Sequence, residues 1–208
     1  MSLIRPDRYL TRISQLDPER DLLARGLTHA FLDIDNTLLR RDTHEVPPDV
    51  LEWLDAARAA GVALCLVSNN CHESVHVLAA ELGLPIRAKA MKPLPFAFLA
   101  ALRQMGAERK HSVVIGDQLL TDILGAHLTG MQGYLVMPLV EKDLRHTVVV
   151  RKFERKLLGK MRPEPLPCAL AQRVEAEEAA RLAGLDEGSV MLEDADAERE
   201  GQGVSRDE

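Results

Sequence analysis

The sequence lacks long apolar runs, which limits the kinds of protein it can encode. Stretches such as 62–67 (VALCLV) are far shorter than the roughly 18 residues that a membrane-spanning helix requires. Residues 1–20 also lack the apolar core of a secretory signal. The three cysteines are too few and too irregularly spaced for a zinc ribbon. We therefore expect a protein of the reducing cytoplasm.

Aromatic residues are equally scarce, at 3% of the chain, and residues 163–208 contain none. That segment has 13 acidic and 4 basic residues, a net charge of 4 − 13 = −9, so the rest of the chain carries −6 + 9 = +3. A segment of this composition cannot bury enough apolar surface to fold alone. We expect a disordered acidic tail over 163–208, with a helix only at 172–185. An inert tail and a partner-binding tail both remain open.

Residues 1–162 are predicted to form one domain in which strands and helices alternate. The apolar segments predicted to be strands are 29–34, 62–67, 86–90, 112–116 and 134–137. The segments predicted to be helices are 46–61, 72–83, 95–106 and 121–130. Strands that are apolar throughout and alternate with helices indicate a parallel sheet covered on both faces. We predict an α/β, three-layer Rossmann-like fold with about five parallel strands.

Polar residues follow four of the extended segments. These residues are Asp33, Asp35 and Thr37 after the first, Ser68 and Asn69 after the second, Lys92 after the third, and Asp117 after the fourth, with Asp122 five residues later. Ligands of parallel sheets bind beyond the carboxyl ends of the strands. Three acids without Cys or His suit Mg²⁺ better than zinc.

The chemistry of these residues is that of phosphoryl transfer. Two like charges about 4 Å apart repel by roughly 4 kcal/mol at an effective dielectric of 20, so one carboxyl holds a proton or a cation occupies the site. A carboxylate beside Mg²⁺ can attack a phosphoryl group, and a second acid can protonate the leaving oxygen. A lysine and a serine hydroxyl can bind the phosphate oxygens.

The four motifs, in this order, resemble the phosphatases of the haloacid dehalogenase superfamily over residues 28–138. The resemblance implies that Asp33 is the nucleophile, Asp35 the general acid and base, and Lys92 the stabilising cation. It implies that Ser68, with Asn69 and Thr37, binds the substrate. It also implies that Mg²⁺ is held by Asp33, Asp117 and the backbone carbonyl of Asp35, with Asp122 orienting a water or Asp117.

Within that superfamily the chain is most similar to the YqeG family, a capless subgroup related to mitochondrial phosphatidylglycerophosphatases. The similarity lies in residues 6–39, 68–70, 92–93 and 116–139. Only 68 − 33 = 35 and 92 − 68 = 24 residues separate the first three motifs, too few for the cap domains that enclose small substrates in the superfamily. The resemblance implies an open site and a phosphomonoester substrate, with phosphatidylglycerophosphate, an anionic phospholipid, as a candidate. Arg40 and Arg41, beside the site, either favour an anionic substrate or are simply solvated.

A basic amphipathic helix is predicted at 144–162. Its predicted apolar stripe consists of residues at i+4 spacing, namely Val149, Phe153, Leu157 and Met161. Residues 151–162 include six basic residues and one acidic residue. Such a helix either lies on an anionic membrane surface or docks its apolar stripe on the domain. Peripheral contact with the inner face of the membrane is therefore open, whereas no specific nucleic-acid binding is predicted, and the oligomeric state is undetermined.

Two other functions compete with the phosphatase. His72 and His76 form a His-Glu-x-x-His pattern, which on a helix can bind the zinc of a peptidase. A third ligand six residues later is missing, because that position is Leu82, so we interpret the pattern as a coincidence. The second competitor is a non-catalytic adaptor that binds partners through its basic segment or acidic tail. The joint presence of Asp33, Asp35 and Lys92 argues against it.

Overall fold

The computed structural model describes residues 3–140 and 157–200, with side chains described as far as residue 184. The chain divides into two units, Met1–Leu166 and Pro167–Glu208. Most of the basic helix predicted at 144–162 lies outside the described residues.

The first unit is built on a parallel sheet of six strands. They are β1 (Arg8–Leu10), β2 (His29–Leu32), β3 (Ala63–Val67), β4 (Ile86–Arg87), β5 (Ser112–Gly116) and β6 (Gln132–Val136). Their order across the sheet is β1-β6-β5-β2-β3-β4, and every neighbouring pair is parallel. The parallel α/β fold predicted from the sequence is confirmed, with one strand more than expected.

Four helices cover the two faces of this sheet, each where the sequence predicts one. They are α1 (Pro48–Ala59), α2 (Glu73–Glu81), α3 (Pro95–Met105) and α4 (Leu124–Thr129). Successive residues of β2 point to opposite faces: Ala30 and Leu32 pack with α1 and α2, whereas Phe31 packs with α3 and α4. The arrangement is therefore the predicted three-layer one.

The connections around the predicted site are short. Between β2 and β3 lie one loop and α1, and between β3 and Lys92 lie α2 and the short strand β4. Residues 33–92 are all described and contain no inserted domain. The capless form of the fold is therefore confirmed.

Leu158 lies at the described end of the predicted basic helix. It packs against the cluster formed by Leu119, Ile123 and Leu135. Leu158 adjoins the predicted apolar stripe, whereas Leu157 of the stripe itself is exposed. No helix among the described residues is both long enough and apolar enough to cross a bilayer.

The second unit contains one helix, α5 (Cys168–Glu200). The composition predicts a helix only over 172–185, in an otherwise disordered tail at 163–208. The structure instead continues the helix to Glu200, because the segment is rich in Ala, Glu and Leu, which are strong helix formers. Arg181 and Glu178 add an ion pair one turn apart. The division into a domain and a tail at residue 163 stays a prediction.

Candidate active site

The central strands bring the predicted site residues to one edge of the sheet. Leu32 of β2 lies opposite Ile115 of β5. Asp33 comes directly after Leu32, and Asp117 comes two residues after Ile115, so both reach the same edge. The backbone N–H of Asp33 bonds to the carbonyl oxygen of Ile115 at 2.9 Å. Ser68 follows β3, on the other side of β2. The site is therefore assembled by strand register.

Asp33, Asp117 and Asp122 form a buried carboxylate cluster. One oxygen from each lies within 4.8 Å of the other two. No other group of three or more His, Cys, Asp or Glu side chains in the described part of the chain is placed to hold a metal ion. A donor set made only of carboxylates suits a hard cation, so these residues fit the Mg²⁺ predicted from the sequence.

Lys92 is the cation of this cluster. Its Nζ lies 2.5 Å from Asp33 Oδ1 and 2.7 Å from Asp122 Oδ1, and the side chain is buried. Burial acts to lower the pKa of Lys92, but the charges of Asp122 and Asp33 outweigh it and raise that pKa. The lysine is therefore an ammonium ion beside the predicted nucleophile.

Asp122 contacts Lys92, a pairing that the sequence did not predict. Its other oxygen, Oδ2, accepts hydrogen bonds from Gln118 N at 3.2 Å and Thr121 Oγ1 at 3.3 Å. Burial is the main cause that raises the pKa of Asp122; the charge of Asp33 adds to it, while Lys92 opposes it. Lys92 pairs with two of the three carboxyl groups in the cluster, so the cluster has more acidic groups than cations.

Gly116 is needed for this position of Asp122. A Cβ atom at residue 116 would lie 2.3 Å from Asp122 Cγ, closer than two such atoms can approach. The Asp122 carboxyl therefore packs directly over the Gly116 backbone. This explains in physical terms why a glycine precedes Asp117.

Asp35 is half-buried and lies two residues after Asp33. Burial is the largest cause that raises the pKa of Asp35, and the charge of Asp33 adds to it. Arg41 and Lys92 act in the opposite direction without reversing the shift. A carboxyl with a raised pKa can hold a proton nearer neutral pH, as a general acid requires.

Thr37 binds the predicted nucleophile itself. Its hydroxyl donates a hydrogen bond to Asp33 Oδ2 at 3.1 Å, and both residues are buried. The chain reaches this position through Asn36, whose φ of 64° is left-handed, and through the Thr37 N–H bond to Ile34 O. The structure therefore places Thr37 as a residue that orients Asp33; its predicted contact with substrate stays a prediction.

Ser68 and Asn69 have different environments. Ser68 is fully buried, and its hydroxyl accepts a hydrogen bond from Asn70 N at 3.0 Å. The Asn69 side chain accepts from Lys92 N at 2.6 Å and donates to Lys92 O at 3.2 Å. Asn69 thus fixes the backbone that carries Lys92, a role that sequence reasoning missed.

The two loop arginines also differ from simple solvated side chains. Arg40 is buried and pairs with Asp42 through Nε at 3.1 Å. Arg41 is half-buried, and its positive charge partly opposes the rise in the pKa of Asp35. The loop after β2 therefore places positive charge beside the predicted general acid.

His72 and His76 are not assembled into a metal site in the described part of the chain. His72 is the N-cap of α2, outside the helix, and both imidazoles are exposed. The described groups able to hold a metal include neither histidine. The structure therefore gives no support to the zinc peptidase.

Comparisons with known proteins identify the family of the chain. A model of the haloacid dehalogenase-like hydrolase family matches residues 7–130. The probable phosphatase YqeG of Bacillus subtilis (strain 168) is 36% identical over 157 residues, which are 76% of this chain and 91% of that protein. A phospholysine phosphohistidine inorganic pyrophosphate phosphatase of Xenopus laevis is 39% identical over 62 residues, 29% of this chain and 23% of that protein.

Among solved structures, NagD from E. coli K-12 shares the fold. It superposes with a TM-score of 0.50 at 16% identity, over 66% of this chain and 94% of that one. The match of the family model over most of the first unit, with the 36% identity to a phosphatase, confirms the resemblance seen in the sequence. The chain therefore belongs to the haloacid dehalogenase-like hydrolases and is a phosphatase of that superfamily.

Proposed function

We propose that this phosphatase hydrolyses a phosphomonoester in two steps, with Asp33 as the nucleophile. The observation that carries the proposal is the buried contact of Lys92 with Asp33, next to Asp117 and Asp122. A fixed ammonium ion at this position would stabilise the negative charge of the phosphoryl oxygens during transfer.

In the first step a carboxylate oxygen of Asp33 attacks phosphorus, and the bond from phosphorus to the leaving oxygen breaks. Asp35 gives its proton to that oxygen, which leaves as an alcohol. In the second step water attacks the phosphorus of the aspartyl phosphate and gives a proton to Asp35. Inorganic phosphate leaves and the Asp33 carboxylate is restored. The raised pKa of Asp35 supports its role as the acid.

Asp33, Asp117 and the backbone carbonyl of Asp35 would hold Mg²⁺, with Asp122 beside them. When bound, Mg²⁺ would neutralise charge on the phosphoryl group and relieve the repulsion among the carboxylates. The excess of three carboxylates over one ammonium ion supports a divalent cation at this position.

The substrate we propose is a phosphate group carried on a large molecule. The short connections between β2, β3 and Lys92 leave no domain to enclose a small metabolite. Phosphatidylglycerophosphate, an anionic phospholipid, is our candidate, because its phosphomonoester would project from a membrane surface towards an open site. Arg41 beside Asp35 adds positive charge that suits such a substrate.

The experiment is phosphate release from phosphatidylglycerophosphate in mixed micelles and from a generic aryl phosphate, with Mg²⁺ or with EDTA. We expect release that requires Mg²⁺ and a fall of at least about 1,000-fold in Asp33→Asn. Asp55→Asn, on the exposed face of α1, is the control and should keep full activity. Preference for the aryl ester would refute the lipid substrate, and full activity of Asp33→Asn would refute the nucleophile.

A further inference from the structure

The loop that carries Lys92 presents large apolar side chains to solvent. Met91, Leu94 and Phe96 are 58%, 48% and 49% exposed, whereas Lys92 among them is 6% exposed. We name Met91, Leu94 and Phe96 the rim. Lys92 reaches inward to Asp33, so the rim belongs to the same segment of chain that supplies the cation of the site.

The rim is held in a defined shape. The Leu94 N–H bonds to Met91 O at 3.0 Å and closes a turn, which brings the Cα atoms of these two residues within about 7 Å. Phe96 follows in the first turn of α3. The loop is also bonded to the end of β3, from Ala90 N to Ser68 O at 3.0 Å. The rim is thus fixed relative to the catalytic edge of the sheet.

Folding alone does not favour apolar residues at these positions. Leu94 is the N-cap of α3, where Ser, Asp or Asn would satisfy a free N–H of the helix and Leu makes no side-chain cap. Met91 has a φ of 53°, in the left-handed region that favours Gly or Asn. Sites that break local rules in a stable fold are commonly functional. Exposed apolar groups beside a catalytic site point to a binding surface.

The charge around the rim identifies the kind of partner. Residues 82–107 contain no acidic residue, in a chain of net charge −6. Of their four basic residues, Lys92 is buried against Asp33 and Asp122, and Arg103 lies in the last turn of α3. Lys89 is exposed two residues before Met91. Apolar side chains next to a lysine suit a surface with an apolar interior and anionic headgroups, where the lysine stays at headgroup level. A bilayer has both properties.

We propose that the rim inserts into the surface of an anionic lipid bilayer and seats the open site at the level of the headgroups. A phosphomonoester on a lipid could then reach Asp33 without leaving the membrane. The contribution of this docking to catalysis rests on the proposed function; the docking itself does not. The two are therefore tested separately.

Docking is tested by tryptophan quenching in the full-length chain. The chain has one tryptophan, Trp53, which is buried, so Phe96→Trp adds a reporter at the rim. With vesicles of phosphatidylcholine and phosphatidylglycerol that contain brominated acyl chains, we expect a blue shift and strong quenching for Phe96→Trp. Leu128→Trp is the matched control, because Leu128 is 45% exposed near the end of α4, which returns towards the amino ends of the strands. It should show neither change.

A second variant replaces all three rim residues with serine. We expect it to lose about tenfold in partitioning to the same vesicles, since each buried apolar side chain contributes to membrane binding. Its ratio of activity on the lipid to activity on an aryl phosphate should also fall, whereas Leu128→Ser should leave that ratio unchanged. A wild-type protein that binds vesicles but fails to hydrolyse either ester would refute the proposed function and leave docking supported.

Unquenched fluorescence of the reporter in Phe96→Trp, together with unchanged partitioning of the serine variant, would overturn the docking proposal. If the serine substitutions instead dissociated a dimer, measured by sedimentation, without any effect on vesicle binding, the rim would be an interface between two copies of the chain. That result would also overturn it.

Discussion

Lys92 is the residue on which the organisation of the site depends most directly. It is one ammonium ion between Asp33 and Asp122, at 2.5 and 2.7 Å, with little access to solvent. A buried ammonium ion is stable only when carboxylates compensate for its lost hydration. The same contacts hold Asp33 in place, so anything that moves Lys92 should disturb the proposed nucleophile as well.

Asn69→Ala should lower kcat about 10- to 100-fold, because Asn69 bonds both to the N–H and to the carbonyl of Lys92. The measurement is the steady-state hydrolysis of an aryl phosphate, with the melting temperature recorded in parallel. Gln104→Ala removes an exposed amide from α3 and should leave kcat unchanged. Unaltered kcat in Asn69→Ala would show that the bonds to Lys92 do not position it.

Gly116→Ala should lower activity by at least about 100-fold and raise the Mg²⁺ concentration needed for half-maximal rate. The added methyl group would collide with the Asp122 carboxyl and push it away from Lys92. A magnesium titration of the rate measures both effects. Gly184→Ala is the matched control, since a Cβ there meets nothing within 4 Å and activity should persist. Normal magnesium dependence in Gly116→Ala would contradict the packing described for Asp122.

At this scale the sequence predicts residue types well and contacts poorly. Asp33, Asp35 and Asp117 could be identified because each follows a recognisable strand, and strand ends meet at one edge. The contacts of Lys92 with Asp122 and Asn69 could not be predicted from the sequence, because they depend on the path of the loop after β4. That path includes left-handed residues such as Lys89, with φ of 51°, which no periodicity reveals.

At the scale of elements, the close contact of α3 and α4 is the feature most sensitive to substitution. A Cβ at Gly125 would lie 2.4 Å from Cε2 of Phe98, a ring that is fully buried. The glycine therefore allows these helices to approach on the face of the sheet that carries Phe31 and Cys65.

Gly125→Ala should lower the free energy of unfolding by about 1–3 kcal/mol, although alanine is the better helix former. Phe98 cannot move aside without disturbing the core around it. Chemical denaturation measures the change. In a Phe98→Leu background the same substitution should cost clearly less, because the smaller side chain leaves room for the methyl group. Equal costs in both backgrounds would rule out a collision with Phe98.

The strands differ in how well the sequence predicts them. Strands β2, β3 and β5 could be predicted, since nearly all of their residues are buried and apolar; the polar exceptions, His29 and Ser112, are the first residues of β2 and β5. Strand β1 has three residues, and it exists because β6 offers an unpaired edge to which it bonds. The composition of residues 8–10 therefore does not predict this strand, which forms only through its pairing with β6.

At the scale of the whole first unit, residue 164 closes the chain back onto β1. Glu164 accepts two hydrogen bonds from Arg8, at 2.9 and 2.5 Å, and its N–H bonds to Tyr9 O at 2.7 Å. The hydrogen bonds from Arg8 lower the pKa of Glu164, and burial opposes them only in part. The segment that follows the basic stretch is therefore tied to the start of the domain.

This tie should weaken in acid. The pKa of Glu164 in the folded protein is below its usual value of 4.5. The ion pair with Arg8 therefore contributes to the free energy of unfolding above pH 4.5, and this contribution is lost as the pH falls through the lower folded pKa. Glu164→Gln should remove that contribution, about 1 kcal/mol or less because the Glu164 side chain is 42% exposed. Denaturation curves at several pH values between 3 and 7 should converge for wild type and variant at the acid end. A difference that stayed constant with pH would contradict the ion pair.

The central claim, that Asp33 forms the covalent intermediate, is tested most directly by trapping that intermediate. Asp35→Asn should retain phosphorylation by an aryl phosphate, whose leaving group needs little protonation, but lose the base that activates water. With Mg²⁺ present, acid quenching and borohydride reduction should convert a phosphorylated aspartate to homoserine. We predict that peptide mass spectrometry finds homoserine at position 33 and only when substrate is added. Homoserine at another position, or none while phosphate is still released, would contradict the account.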